Sequence, residues 1–404
     1  MNAPPAAPPA ASPPDLEGTR VVVTLGSAPL WGLERGNIQV FHVLRDVGVE
    51  ALFVTKSKKG HLNIQPALDG LGLRWTTAYY PGRWVKGKGV RWLAKRLGQS
   101  ARSNREFYKA ARAFRPTHVH TMAWTFAVDL LPSFKLLGVP VIYRIGDEPR
   151  QDRRLLRFAW RRLIAPNVSH FVAVSRFVRD ALVDAGVPAG KISVIYNYPP
   201  ERAPIPGGTD LPADLEFPFK GRTVAYVGQI TADKGVGELI EAAFTICAER
   251  EDVRFLLAGE YSWQNPFAEA LIERVESKGL ADRIRFLGSI DDIPGLLSLA
   301  AVHAAPSVIE EALGNVVVEA KQAGVPSVVF PSGGLPELVV QDGSDAVLCR
   351  AKTASALADG LRHYLDMDDA ALKDASRAAS DSLEVLGITR EAFTRAWADV
   401  YAQA

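Results

Sequence analysis

The chain has 404 residues, 48% of them apolar and 23% charged, with a net charge of +2 and two cysteines, Cys247 and Cys349. That length and composition fit a globular protein of two or three domains, and the cysteine count excludes a disulfide framework. No apolar run reaches membrane-spanning length and the proline-rich opening has no apolar signal core, so a reducing cytoplasm is expected.

Residues 1–18, MNAPPAAPPAASPPDLEG, are expected as a disordered Pro/Ala-rich tail. From Arg20, RVVVTLGSAPLWGLERGNIQVFHVLRDVGVEALFVT reads as strand, glycine-containing loop, amphipathic helix and strand. The next stretch is basic. Between Arg83 and Arg115 stand eleven Lys/Arg, one acid (Glu106), and Trp84, Trp92, Phe107 and Tyr108. Arg153, Arg154, Arg157, Arg161 and Arg162 form a second cluster with Phe158 and Trp160. Cations interleaved with aromatics suit an anionic membrane surface, so peripheral binding there is expected. Nucleic acid is not expected as a partner: no nucleic-acid module is present, and residues 201–404 carry 18 Lys+Arg against 32 Asp+Glu, where residues 1–200 carry 29 against 13.

PTHVHTMAWTFAVDLLPSFKLLGVPVIYRI and HFVAVSRFVRDALVDAGVPAGKISVIYN repeat the strand, helix, strand rhythm, and their continuous Val/Ile runs indicate parallel strands buried on both faces. His118 and His120 are read as facing opposite sides of their strand, with one of them able to reach a ligand. Residues 201–220, within YPPERAPIPGGTDLPADLEFPFKG, are dense in Pro and Gly and read as a linker. After it the rhythm restarts with TVAYVGQITADKGVGELIEAAFTICAER, VRFLLAGE, IRFLGSI, VHAAPSV, PSVVF and AVLC. Two successive doubly wound α/β units follow, and in such sheets ligands bind at the carboxyl ends of the strands.

Two loops at such ends hold candidate chemistry. Lys234 lies between the strand glycine Gly228 and a helix starting near Gly235. A lysine so placed can supply positive charge to an anionic group where no metal does. In EEALGNVVVEA, a single helix would set Glu311 and Glu319 about 80° apart, a weakly shared face. Asn315 is instead read as an N-cap, which puts Glu311 on the loop and Glu319 on the helix. The amides of Asn315, Val316 and Val317 then form an anion site with a carboxylate on each side, and Glu310 is left as a solvated neighbour. The Asp366–Asp369 run, DMDD, has the spacing of a metal site but reads as a helix cap, and no metal is expected.

The wider stretch PSVIEEALGNVVVEAKQAGVPSVVFPSGGLPELV, Pro306 to Val339, resembles the donor-site motif of retaining glycosyltransferases of the GT-B fold, family 4 type (glycosyl transferases group 1). The resemblance implies two Rossmann-like doubly wound domains facing a central cleft. Residues 19–200 would be the acceptor domain, 221–385 the nucleotide-sugar donor domain, and 386–404 a helix returning to the first. It further implies that Glu311 contacts the transferred sugar, that Glu319 accepts from the ribose, that Lys234 contacts the diphosphate, and that Gly314 and the first residues of the helix hold a phosphate. Gly333, Gly334 and Leu335 would line the sugar pocket. Gly228, Gln229 and Gly32 would complete the donor site, and His120 would act in catalysis. The sequence departs from the family at Gln229, where Arg is usual, at Met122, where a second histidine stands, and at Gly32, where a glycine pair is usual.

The implied activity is transfer of a hexose from a nucleoside diphosphate sugar to a hydroxyl of a glycan or lipid-linked acceptor at the inner membrane face. A dehydrogenase is disfavoured because TLGSAPLWG replaces the G-x-G-x-x-G that nicotinamide binding needs after the first strand. A sugar-nucleotide-binding protein without transferase activity, or an epimerase on the same fold, is the alternative reading.

Overall fold

A computed structural model describes residues 13–26, 32–56, 64–81, 90–147, 149, 154–199, 210–212, 215, 219–260 and 265–404. Two compact units result, Met1–Val174 with Val178–Tyr198 and Thr389–Ala404, and Ser175–Phe177 with Pro199–Ile388.

The first unit is built on seven parallel strands: β1 (Arg20–Leu25), β2 (Glu50–Lys56), β3 (Arg74–Ala78), β4 (His118–Thr121), β5 (Val141–Ile145), β6 (His170–Ala173) and β7 (Ile192–Val194). Their order is β3-β2-β1-β4-β5-β6-β7, so the winding reverses between β1 and β4. Val21, Val22, Val23 and Leu25 are buried on both faces of β1, as a covered parallel sheet requires. The helix Arg390–Gln403 belongs to this unit and buries Phe393, Trp397 and Tyr401 in it.

The second unit carries six parallel strands: β8 (Arg222–Val227), β9 (Val253–Ala258), β10 (Ile284–Gly288), β11 (Val302–Ala305), β12 (Ser327–Val329) and β13 (Ala346–Leu348), in the order β10-β9-β8-β11-β12-β13. Alternation along the strands feeds two apolar clusters. Val224, Phe255, Leu257, Val302 and Ala304 pack with the helix Val236–Glu249, and Ala225, Leu256 and Ala258 pack with Leu296 and Ala320 on the other face. Each large side chain fully buried in this way contributes about 1.5–3 kcal/mol. Helix starts follow the cap residues in the sequence: Asn265, Thr353, Asp368 and Thr389 each accept an amide of the first turn, and Asp368 belongs to DMDD.

Several expectations need correction. Leu16 is buried and its amide donates to Val47 O, so the packed chain begins before residue 18. Much of the 201–220 linker lies outside the described residues, but the rest is held by the second unit. Leu215 joins the apolar cluster, and the Asp210 carboxylate accepts from the amides of Asp291 (2.6 Å) and Asp292 (2.9 Å). Those two amides hold its pKa below the usual range. His118 and His120 both face Tyr401 and share one side of β4, because residues two apart on a strand point the same way. Of the basic stretch, 83–89 and Arg153 are outside the described residues; the remainder is mostly one helix, Val90–Phe114.

Candidate active site

The site is built where β8 and β11, neighbours at the switch in strand order, end. Beyond β8, Gly228 and Gln229 turn the chain, and the buried Tyr226 hydroxyl donates to Gln229 O at 2.8 Å. Gly235 then caps the helix Val236–Glu249 with φ 71°; a Cβ there would lie 1.7 Å from Pro306 O. Only glycine lets the helix begin directly against the end of β11, which brings Lys234 beside the second loop.

Beyond β11, Pro306 and Ser307 lead to Glu310 and Glu311. The helix Asn315–Gln322 starts one residue earlier than an Asn315 cap implies: Gly314 is its cap, with φ 98°, and a Cβ there would lie 2.3 Å from Leu335. Asn315 is therefore the first helical residue. Val317 donates to Gly314 O at 3.0 Å, which removes its amide from the expected three-amide anion site.

Tyr226, Gly228, Lys234, Ser307, Glu311, Gly314, Asn315, Val316 and Leu335 line a common pocket of about 220 Å³. Within it Lys234 Nζ lies 2.5 Å from Glu311 Oε1, and Ser307 Oγ donates to the same oxygen at 2.8 Å. Among the described residues that line the pocket, Lys234 is the only cation. It sits beside a helix start that itself favours negative charge, so the pocket suits an anion next to a hydrogen-bonding carboxylate.

The loop carrying Gly333 and Gly334 packs behind Glu311. Gly334 donates its amide to Glu311 O at 2.7 Å, and Gly333 donates to the Glu310 carboxylate. Glu310 is thus not a solvated bystander: Lys352 Nζ lies 2.8 Å from its Oε1, and this pairing, with the Gly333 amide, holds its carboxyl below the usual range.

The other candidates are placed elsewhere. Gln229 is exposed on its loop, Glu319 is half-buried one turn along its helix, and neither is among the lining residues. Gly32 opens the helix Gly32–Leu44 of the first unit. His120 is corrected from a catalytic candidate to a core residue. It is fully buried, Nδ1 bonds Tyr401 Oη at 2.7 Å, Nε2 bonds Asn37 Oδ1 at 2.8 Å, and burial pushes its pKa down to about 3. With both ring nitrogens occupied and no exposure, it has neither access to a substrate nor a free proton site. Sequence reasoning passed over Ser307, Tyr226 and Lys352. Only Ser307 had a local signal, as the first hydroxyl after a buried strand.

Two doubly wound units, the second holding a lysine and a glutamate at adjoining strand ends, form the architecture of the GT-B glycosyltransferases. The family description Glycosyl transferases group 1 matches residues 221–367, and Glycosyltransferase Family 4 matches residues 32–198. The chain belongs to the group 1 glycosyltransferases and is a transferase enzyme of that family. Among its relatives, 2-deoxystreptamine N-acetyl-D-glucosaminyltransferase of Streptomyces fradiae is 27% identical over 87% of this chain and 89% of that protein. D-inositol 3-phosphate glycosyltransferase of Corynebacterium diphtheriae is 34% identical over 38% of this chain, and the match spans 36% of that protein. Among solved structures, Anabaena Alr3699/HepE in complex with UDP and glucose superposes with a TM-score of 0.73 at 19% identity, covering 95% of this chain and 98% of that one. A glycosyltransferase from Rickettsia africae superposes with a TM-score of 0.77 at 17% identity and the same coverage. At these identities the two structures establish the fold. Among the described residues, no helix is long and apolar enough to cross a membrane.

Proposed function

We propose that this glycosyltransferase moves a sugar from a nucleoside diphosphate sugar to a hydroxyl of a lipid-linked or cell-envelope glycan acceptor, with retained anomeric configuration, at the cytoplasmic face of an anionic membrane. The observation that carries the donor half is the meeting of Lys234 and Glu311, 2.5 Å apart, in one pocket beside the start of the helix Asn315–Gln322. In this reading the diphosphate lies at the Asn315 and Val316 amides and against Lys234, whose charge stabilises the leaving group without a divalent cation. Glu311 contacts the sugar, Glu319 the ribose, and the Gly333–Leu335 loop shapes the sugar subsite. The UDP and UDP-glucose complexes of Anabaena Alr3699/HepE support a donor of this class. Retention rests on the likeness of Pro306–Val339 to the retaining motif.

The acceptor half rests on different observations. A phosphatidyl-myo-inositol mannosyltransferase of Mycobacterium leprae, 33% identical over 155 residues, is named for a lipid acceptor. Here the helix Val90–Phe114 exposes Arg91, Lys95, Arg105, Lys109 and Arg112 together with Leu97, which is 58% exposed. Phe158, 57% exposed, stands among the exposed Arg157, Arg161 and Arg162. An exposed aromatic side chain among arginines, and an exposed leucine on a basic helix, suit a headgroup region.

A panel of nucleotide sugars with membrane extract tests the reading: transfer is expected with the wild type, unchanged by EDTA and lost in Glu311→Ala. Binding without transfer would point to a non-catalytic protein, and a free-sugar product to an epimerase-like hydrolase. Sedimentation at low salt should show a preference for anionic over neutral vesicles; equal binding removes the membrane half.

A further inference from the structure

We propose that Ser307 is a positioning residue for Glu311, holding Oε1 of its carboxylate so that Oε2 is presented to the transferred sugar. The inference rests on the reading of Glu311 given above and concerns which group orients it.

Both contacts to the Glu311 carboxylate converge on one oxygen: Lys234 Nζ at 2.5 Å and Ser307 Oγ at 2.8 Å both meet Oε1. Among the described residues no hydrogen bond or ion pair reaches Oε2. The Ser307 hydroxyl has one proton and three acceptors in range, Glu311 Oε1 at 2.8 Å, Ile309 O at 3.2 Å and Asp233 O at 3.5 Å. The nearest acceptor is also the charged one, and charge-assisted bonds are the stronger, so the proton goes to Glu311.

Ser307 is well placed to act as a fixed support. It is 5% exposed, and its carbonyl accepts from the Ser332 hydroxyl, just ahead of the Gly333–Gly334 loop. The next two amides, Val308 and Ile309, both donate to Asp233 O, at 3.0 and 3.2 Å. The loops after β8, β11 and β12 are thereby joined at Ser307 and the two residues that follow it. Lys234, by contrast, cannot hold Glu311 throughout. An arriving diphosphate competes for its ammonium, and the more of that charge the leaving group takes, the more Oε1 depends on Ser307. The contribution of Ser307 is therefore greatest during the chemical step and small in donor binding.

The test compares Ser307→Ala and Ser307→Thr with wild type, melting each variant to confirm folding. Losing a hydrogen bond to a charged group should lower kcat about tenfold to a hundredfold in Ser307→Ala, with donor KM within about twofold. Ser307→Thr, which keeps the hydroxyl, should restore kcat. In a Glu311→Gln background Ser307→Ala should add nothing, because the two act through one group. An unchanged kcat, a loss that falls on donor KM instead, or the same loss in the Gln background overturns the proposal. The two levels fail separately: if wild type transfers no sugar, the transferase reading fails; if wild type transfers and Ser307→Ala keeps full kcat, the positioning role alone fails.

Discussion

Lys234 Nζ and Glu311 Oε1 lie 2.5 Å apart although 77 positions separate the residues in sequence. Both side chains keep about a quarter of their surface, 27% and 21%, so solvent screens the pair and it adds only about 0–1 kcal/mol to stability. Removing a preorganised charge from a reacting centre costs far more in rate. Lys234→Ala and Glu311→Gln should each lower turnover by about a hundredfold or more while shifting Tm by no more than roughly 2 °C. Parallel turnover and melting curves check this, and a large Tm loss would assign the pair to structure.

Glu310 offers a contrast with its neighbour. It ties the Gly333 amide to Lys352, which also donates to Val308 O at 2.9 Å. Glu310→Ala should release the glycine loop and weaken nucleoside diphosphate sugar binding about fivefold, the equivalent of about 1 kcal/mol, with kcat little changed. Calorimetric titration with the best donor of the panel measures it. An unaltered Kd would return Glu310 to the solvated role that its sequence context suggests.

His120 and His303 should both make the fold acid-sensitive. Burial lowers the first pKa to about 3, with the positive charge of Arg144 adding to it, and the second to about 4, from 6.5. His303 is fully buried, with Nδ1 at 3.2 Å from Ser327 Oγ and, among the described residues, no partner for Nε2. A lowered histidine pKa means that the unfolded chain binds more protons than the native one below pH 6.5. Stability is therefore full above about pH 6.5 and falls as pH drops toward 4 and then 3, by on the order of a few kcal/mol per residue. Urea midpoints measured from pH 7.5 to 4.5 should decline, and less steeply in His303→Gln.

A fully buried ion pair joins Lys321 on the helix Asn315–Gln322 to Asp345, with Lys321 Nζ also 2.7 Å from Ser382 Oγ. Asp345 in turn accepts from the amides of Val340 (3.1 Å) and Gln341 (2.5 Å). Burial pushes the lysine pKa down, against the pull of Asp345. Lys321→Met alone leaves a buried carboxylate without its cation and should cost about 3–5 kcal/mol, whereas Lys321→Met with Asp345→Asn should recover part of it. Chemical denaturation of the three proteins decides this, and equal stability of single and double variants would contradict it.

Strand positions were legible because buried parallel strands are written as short Val/Ile runs. RVVVTL, VRFLLA and VHAA became β1, β9 and β11. The short edge strand β3, RWTTA, carries little apolar signal and has a partly exposed pattern, so nothing local announced it. Within the site, Gly228, Lys234, Glu311, Asn315 and Val316 were readable because each lies at a strand end or helix start, whereas Gly314 and Leu335 joined them only through the resemblance of Pro306–Val339 to a donor-site motif. The placing of the cap at Asn315 failed by one residue because Gly314 takes the left-handed backbone, φ 98°, that lets the helix begin at Asn315, with Leu335, distant in sequence, packed where a side chain would stand.

The sequence by itself determined the two doubly wound sheets, the loops where ligands bind and the residue types gathered there, since periodicity, caps and glycines act over a few residues. Tertiary structure alone decided which partners those residues take. It joined Lys234 to Glu311, gave Glu310 to Lys352 and Gly333, placed Ser307 beneath the carboxylate, and closed His120 in the core between Asn37 and Tyr401. The reason is physical: a side chain's charge, access and hydrogen-bond partner depend on groups tens to hundreds of residues away, which local pattern cannot specify.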